Sequence, residues 1–435
     1  MPDEATTPHD LTQTLGSYLD RHLLIPLLDH LKSKNLYPAR EIEQAKLELM
    51  FGTNMVDAAV DIYGELNSTK EVPDEYTKRR EEVLRTMTQL HEEVQPILDL
   101  VQDPERVNEL RQEKNFTPAY LQQLSITPSH IEVLHRYAKF IFDCGDYVTA
   151  SNLLMHYRML STTSEKALSA LWGKLACEIL LMHWDQALED LTALKEAIDS
   201  SPSLSPLMQL QQRSWLMHWS LFLLGNHPNG RNIVADLFFQ ERYLNTIQNN
   251  CPHLLRYLCV AVITNPRRRA SLKDLVRIIS MEKANFSDPI TSFIEELCVT
   301  SNFDEAQGRL KECAAAIDQD FFLSNAETDF MTHARLYIFE SYCRIHERID
   351  LKMLAQKLNM EQIAAEKWIV KMVSDAQLNA KIDAQSGHVI LGLEPPDVYL
   401  QVIEKTKGLS FRSYVLAQNI EKRSIQPTTS RTHGS

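Results

Sequence analysis

Leu11, Leu15, Leu19, Leu23, Leu24, Leu27, Leu28 and Leu31 recur at three- and four-residue steps, the spacing that stacks side chains on one face of an α-helix. A strand cannot gather them on one side, because its period is two. The chain must therefore open with helices that bury a leucine face against other helices. Pro26 falls within this stretch and, lacking an N–H, is predicted to kink it or to begin a second helix. The same period continues over 40–63 and 74–101. The span 102–130 is polar and carries Pro104, Pro118 and Pro128, which reads as a connector with partial helix.

From about residue 131 a unit repeats. Tyr137-Ala138-Lys139-Phe140 leads to Gly145-Asp146-Tyr147, then Ala150, then Leu153-Leu154. Leu171 to Ala176 leads to Trp184-Asp185, Ala187 and Leu191, and Phe293 to Leu297 leads to Phe303-Asp304, Ala306 and Leu310. Each copy predicts a helix, a tight turn, an aromatic, an alanine three residues later and a second helix. Alanine lets the two helices approach closely, the aromatic fills the space between hairpins, and Asp or Asn near the turn caps the second helix. Tyr147 and Trp184 lie near the roughly 34-residue period of tetratricopeptide arrays. The expected architecture is an all-α, tetratricopeptide-like right-handed solenoid, whose extended surfaces suit binding rather than catalysis.

Past residue 334 the pattern changes. Ile349-Asp350-Leu351 is expected to open a helix through Leu358, and Asn359-Met360-Glu361 to turn into a second helix through Trp368 and Val373. Ala380–Asp383 and His388–Leu391 read as strands joined through Gly387. Two helices and a β-hairpin make a winged helix-turn-helix. After Pro395-Pro396, Asp397 is placed to cap a last helix. Its Tyr399, Val402, Thr406, Leu409, Ser413, Leu416 and Ile420 alternate by three and four, an imperfect heptad seam that calls for a partner helix, or else packs back onto the winged helix. Expected divisions are 1–101 (N-terminal hairpins), 102–130 (connector), 131–334 (repeats), 335–393 (winged helix), 394–423 (terminal helix) and 424–435 (disordered tail).

Catalytic signatures are missing from the sequence. The pairs His91-Glu92 and His346-Glu347 are followed by Gln95 and Asp350 where a zinc-binding helix needs its second histidine. No Cys-x-x-Cys occurs, Gly173-Lys174 lacks the upstream glycine of a phosphate loop, and no Gly-x-Ser-x-Gly elbow is present. Pairs such as Glu81-Glu82 and Glu295-Glu296 read as solvated helix faces. The expectation is no enzyme, cofactor or metal. Seven cysteines, an odd number and widely spaced, read as reduced and mostly buried, which suits a cytoplasmic chain with a nuclear pool. Residues 1–10 lack the basic and apolar regions of a leader, and no apolar run would span a bilayer. A membrane partner is not expected.

The net charge of −13 argues against wholesale phosphate binding. Five basic residues in the winged helix (Lys352, Lys357, Lys367, Lys371, Lys381) meet five carboxylates (Asp350, Glu361, Glu366, Asp375, Asp383). That balance leaves little counterion release to drive DNA binding. The compact basic cluster Arg267, Arg268, Arg269 with Lys273 could contact RNA; at a helix start on an acidic chain it more simply serves protein docking.

Helical repeats that run into a winged helix and a terminal helix resemble the PCI family, the module shared by the proteasome lid, the signalosome and translation initiation factor three. From about Leu11 to Lys422 the chain is most similar to the initiation-factor members. The stretches that carry the likeness include Leu19-Asp20-Arg21-His22-Leu23, Leu171 to Ala176, Cys251-Pro252-His253, Leu255-Arg256-Tyr257-Leu258, Ala380 to Asp383, Val402 to Lys407 and Leu409 to Ser413. The resemblance implies a non-catalytic scaffold in the factor that binds the small ribosomal subunit and promotes recruitment of messenger and initiator transfer RNA. Its partners would be other, chiefly PCI-containing, subunits of that factor. It implies side-by-side docking through the hairpin (Lys381, Asp383, His388, Val389, Ile390) and bundling of the last helix (Tyr399, Val402, Leu409, Phe411, Leu416, Ile420). A lid or signalosome scaffold shares the architecture and is the alternative; a nucleic-acid-binding regulator is a further one.

Overall fold

In the computed structural model Asp20, rather than Pro26, divides the leucine-rich stretch. Its carboxylate accepts from the His22 N–H at 3.2 Å, as a short acidic side chain does at a helix N-cap. The result is two helices, α1 (Thr12–Gly16) and α2 (Arg21–Lys34), and Pro26 lies inside α2. No second helix starts at the proline; α2 runs through it without the bond that residue 26 would otherwise donate to the His22 carbonyl. The structure describes residues 9–67, 73–101, 128–160, 164–201, 204–265, 268, 271–345, 348–350, 353, 367, 370, 380–383, 388–391 and 398–425. Most of the connector, most of the two helices expected over 351–373, the hairpin turn 384–387, the Asp397 cap and the tail from 426 lie outside them.

The chain divides into two compact units, Met1–Ala334 and Arg335–Ser435. In the first, α3 (Ala39–Phe51), α4 (Val56–Asn67) and α5 (Asp74–Val101) are followed by α6 (Pro128–Asp143) and α7 (Tyr147–Leu160). Pro128 stands at the first position of α6, where a missing N–H costs nothing, so the expected connector gives way to helix three residues early. Next come α8 (Ser164–Leu180), α9 (Trp184–Ser200), α10 (Pro206–Asn226), α11 (Gly230–Phe238) and α12 (Glu241–Asn250). The unit is completed by α13 (Leu255–Ile263), α14 (Leu272–Glu282), α15 (Pro289–Glu295), α16 (Phe303–Gln319) and the start of α17 (Glu327–Ile345). From α5 to α11 each helix packs on the one before it and the one after it.

The three repeated turns share one backbone device. Two residues before each aromatic the chain enters the left-handed region, at Gly145 (φ 91°), Met182 (φ 59°) and Ser301 (φ 53°). The next residue donates its N–H back across the turn, from Asp146 to the Ile141 carbonyl and from His183 to Glu178. This is the Schellman closure of a helix C-terminus. In the third copy a π turn, Glu296–Thr300, adds a residue, and Asn302 bonds Glu296 instead. Ala150, Ala187 and Ala306 are fully buried at the helix crossings. Capping is less uniform than the sequence suggests. Asp146 accepts from Thr149 N–H and Asn302 from Glu305 N–H, whereas His183 makes no cap bond and Asp185 lies exposed in the first turn of α9.

One helix and a long run of another are buried all round. Every residue of α13 is inside, as is the run Leu216–Leu224 of α10. Helices apolar on every side belong at the centre of a large helical unit. Against α10, Gly230 opens α11 so tightly that a Cβ there would lie 1.8 Å from the Leu223 carbonyl oxygen. Backbone cannot yield as a side-chain tip does. Gly230→Ala is therefore expected to cost about 3 kcal/mol or more, read as a lowered denaturation midpoint; an unchanged midpoint would mean that α11 can slide.

In the second unit three short strands, β1 (Arg348–Asp350), β2 (Ala380–Asp383) and β3 (His388–Leu391), form an antiparallel sheet in the order β1-β3-β2. Ile349 pairs with Val389, and Ile382 pairs with Val389 from the other side. Ile349-Asp350 is thus not the helix start that its sequence suggests; the pairing makes these residues an edge strand instead. A three-residue strand with a single apolar side chain carries no period of its own, so only its neighbour β3 decides. The terminal helix α18 covers Val398–Ile425, two residues further than expected.

Candidate protein-docking surface

α18 is 28 residues long, about 42 Å at 1.5 Å per residue. Large apolar side chains along it are open to solvent: Tyr399 is 79%, Leu409 62% and Leu416 61% exposed, and Val402, Phe411 and Ile420 are exposed with them. At 100° per residue Tyr399, Val402, Leu409, Leu416 and Ile420 fall in one sector of roughly 100°. The polar seam residue Thr406 gives its hydroxyl to the Val402 carbonyl at 2.6 Å, so it can be covered without an orphaned donor.

Three exposed residues escape a heptad count: Ile403, Tyr414 and Val415. Ile403 and Tyr414 widen the seam, whereas Phe411 and Val415 lie on the opposite side of the helix. Plotting the sequence on a wheel rather than counting a and d positions would have found this second face. A helix with two apolar faces fits into a bundle, where a single partner would leave one face wet.

The other expected docking residues are arranged differently. Lys381 and Asp383 lie on β2, at a sheet edge, while His388, Val389 and Ile390 belong to the central strand. Both backbone edges of β3 are taken, so only β1 or β2 could add a strand from another protein. Of the basic cluster, Arg267 and Arg269 fall outside the described residues. Arg268 donates to the Asn232 carbonyl at 3.2 Å and pairs with Asp236 at 2.6 Å, and Lys273 is exposed.

The densest buried polar group has no signature in the sequence. Arg256 on α13 donates to Asp288 at 2.6 Å, to Asp320 at 3.1 Å and to the His9 carbonyl at 2.6 Å. Asp320 also accepts from the Tyr257 hydroxyl at 2.9 Å and the Phe322 N–H at 3.0 Å. Asp288 caps α15 through the Ile290 N–H. Burial opposes the guanidinium charge, but the two carboxylates more than offset it and hold Arg256 protonated beyond its ordinary range. Every carboxylate oxygen is used, which makes this a clamp and not a reactive centre. Among the described residues no three His, Cys, Asp or Glu side chains are placed to hold a metal ion. Cys177, Cys251, Cys259 and Cys313 are buried; burial pushes the Cys177 thiol up to about 12, away from nucleophilic character. Cys298, by contrast, is exposed.

Beside the clamp, His218 Nε2 and His253 Nε2 are 2.8 Å apart, and His218 Nδ1 lies 2.6 Å from the Ser214 carbonyl. Nδ1 of His218 must donate to that carbonyl, so its Nε2 accepts and His253 Nε2 carries the shared proton. Tyr18 stacks on His218 at 4.0 Å. Burial lowers His218 to about 3 and His253 to about 4. Unfolded, both would take up protons near pH 6.5. Stability from this pair is thus fully present above pH 6.5 and is lost as pH falls, at roughly 1.4 kcal/mol per histidine per pH unit until the folded values are reached. The midpoint is expected to drop steeply from pH 6.5 to 4.5. His253→Gln, which cannot charge, should roughly halve that slope; equal slopes would assign the acid sensitivity elsewhere.

Three family models match the chain. They are the eIF3 subunit 6 N-terminal domain over residues 10–141, the PCI domain over 310–392, and the C-terminal region of the E subunit of eukaryotic translation initiation factor 3 over 398–417, on α18. The PCI match begins inside the helical unit, within α16. Proteins named as the E subunit of eukaryotic translation initiation factor 3 are similar over nearly the whole length. The Arabidopsis thaliana protein is 44% identical over 98% of this chain and all of its own length. The Aspergillus fumigatus protein is 43% identical over 97% of the chain and 95% of its own length, and the Drosophila virilis protein 42% over 96% of each. With its first helices, its PCI segment and its exposed last helix all matched in order, the chain belongs to the family of E subunits of eukaryotic translation initiation factor 3.

Proposed function

We propose that the chain is a non-catalytic scaffold subunit of translation initiation factor 3 that acts by holding other subunits of the factor. Through the assembled factor it contributes to binding the small ribosomal subunit and recruiting messenger RNA and initiator transfer RNA. The observation that carries this reading is α18: a long helix, apolar on two faces, exposed, and lying in a segment similar to the C-terminal region of the family. Such a helix gains stability only when other helices cover it.

In this reading α6 to α16 form a tetratricopeptide-like right-handed solenoid. The successive packing of the helices and the three equivalent turns support it. The PCI segment ends in a winged helix, a reading supported by the three short strands paired in the order β1-β3-β2. The outer edge of β2, with Lys381 and Asp383, docks a neighbouring PCI subunit by strand or surface pairing. Lys273 marks a second, protein-facing contact, since Arg268 is already paired within the unit. Direct RNA contact is secondary. No helix among the described residues is long and apolar enough to cross a membrane. The site of action is the cytoplasm.

Gentle affinity purification of the tagged full chain, read by mass spectrometry and sucrose gradient, tests the proposal. Recovery of the other factor 3 subunits, with a share sedimenting beside the small ribosomal subunit, is the expected result. Recovery of lid or signalosome subunits, or of a lone monomer, would overturn it.

A further inference from the structure

A groove of about 770 Å³ lies at the hairpin ends of the first unit, walled by the start of α7, the α8–α9 turn and the α10–α11 turn. Its rim is apolar and open, with Val148 55% and Met182 69% exposed and Trp184 half-buried beside them. Its charges are acidic. The buried Glu178 carboxylate forms part of the wall, held by the Ser151 hydroxyl at 2.6 Å and His183 Nδ1 at 3.0 Å. Asp185 stands 98% exposed at the mouth, 3.3 Å from His227 Nε2. No Lys or Arg lines the groove among the described residues.

A second observation, independent of the cavity, points to the same place. Met182 occupies the left-handed turn position that Gly145 fills in the preceding hairpin. Methionine has a Cβ and pays for this conformation where glycine does not. The large side chain it presents there is solvated instead of packed, so the fold gains nothing from it. A large apolar side chain held in this conformation in solvent, where the third hairpin has the small Ser301, supports a binding position here.

We infer that this groove is a docking site for an extended, basic segment of another protein. An aliphatic or aromatic residue of the segment enters between Val148, Met182 and Trp184. A flanking arginine pairs with Asp185 at the mouth, where a guanidinium fork suits a carboxylate. The exposed amides of Asn152 and Gln186 face the groove and can bond the peptide backbone. Nucleic acid is disfavoured, since two carboxylates and no cation would meet its phosphates. The inference does not depend on α18 or on the assembly proposed above.

Three labelled synthetic peptides test it with the full chain by fluorescence anisotropy. They are identical except that a central leucine–phenylalanine pair is flanked by arginines, serines or glutamates. The arginine peptide is expected to bind roughly tenfold more tightly than the serine peptide, and the glutamate peptide not at all. Asp185→Lys should abolish the preference. Met182→Gly should weaken binding about tenfold while raising the melting temperature, which separates lost contact from lost folding. Val299→Glu, an exposed apolar residue at another hairpin turn, should change nothing. Absence of binding by all three peptides, equal binding of all three, or binding indifferent to Met182 would overturn the inference.

Discussion

Aspartate at Leu409 is expected to release the chain from its complex while residues 9–334 stay folded. Leu409 is exposed in the chain alone, so a carboxylate there sits in water and costs the isolated fold almost nothing. In a helix bundle the same carboxylate must be desolvated beside apolar neighbours, and the leucine burial of about 2 kcal/mol is lost as well. Together these weaken association by several kcal/mol, a hundredfold or more in affinity. Leu416→Asp, two turns along the same seam, should act alike. Phe411→Asp discriminates between modes of assembly. It lies on the opposite face, so it spares a two-helix contact but breaks a bundle. Co-purification of each variant with its partners, beside circular dichroism of the isolated chain, reads both halves of the prediction. Unchanged recovery of the Leu409 and Leu416 variants would remove α18 from the interface.

The second large effect is internal. Arg256→Ala leaves Asp288 and Asp320 facing each other with no counter-charge, and strands the Tyr257 hydroxyl beside a carboxylate that must take up a proton. Breaking a buried pair in this way costs about 3–5 kcal/mol, against a typical total of about 5–15 kcal/mol. The variant is expected to be poorly soluble or to unfold at a much lower denaturant concentration. Combining Arg256→Met with Asp288→Asn and Asp320→Asn removes the charges together and should recover much of the loss. If the single variant melts like the parent, water already reaches the clamp.

How much of this was legible depends on the reach of each interaction. The repeated hairpins could be read from sequence because a turn, an aromatic and an alanine lie within a few residues of one another, and helical period is a local property. The seam of α18 was legible for the same reason, although Phe411 and Val415 show that it has two faces. Arg256 was visible only as part of a stretch that carries the family likeness. Its partners lie 32 and 64 residues further along, and no local pattern announces them. Asp20 outcompeted Pro26 as a helix boundary because a satisfied cap stabilises a start, while a proline inside a long helix removes a single bond. β1 could not be told from a helix start, because its strand character comes from β3. The groove was invisible as well, since its residues come from three hairpin ends.

The bond from Arg256 to the His9 carbonyl spans 247 residues, and Lys34 meets Asp318 across 284. A ribosome adding roughly 5–20 residues each second therefore finishes the first helices of this protein many seconds before the surfaces that receive them exist. During that interval the faces of Leu15, Leu27 and Leu31, which finally line a cavity with Ala316 and Phe321, have only their near neighbours for cover. Folding of the amino-terminal unit is in this sense retroactive: its opening segment is locked last, by residues still to be translated. A nascent chain truncated before Asp320 should be open at its amino terminus, sensitive to protease near His9 and bound by general chaperones, and both properties should vanish once that aspartate has cleared the exit tunnel.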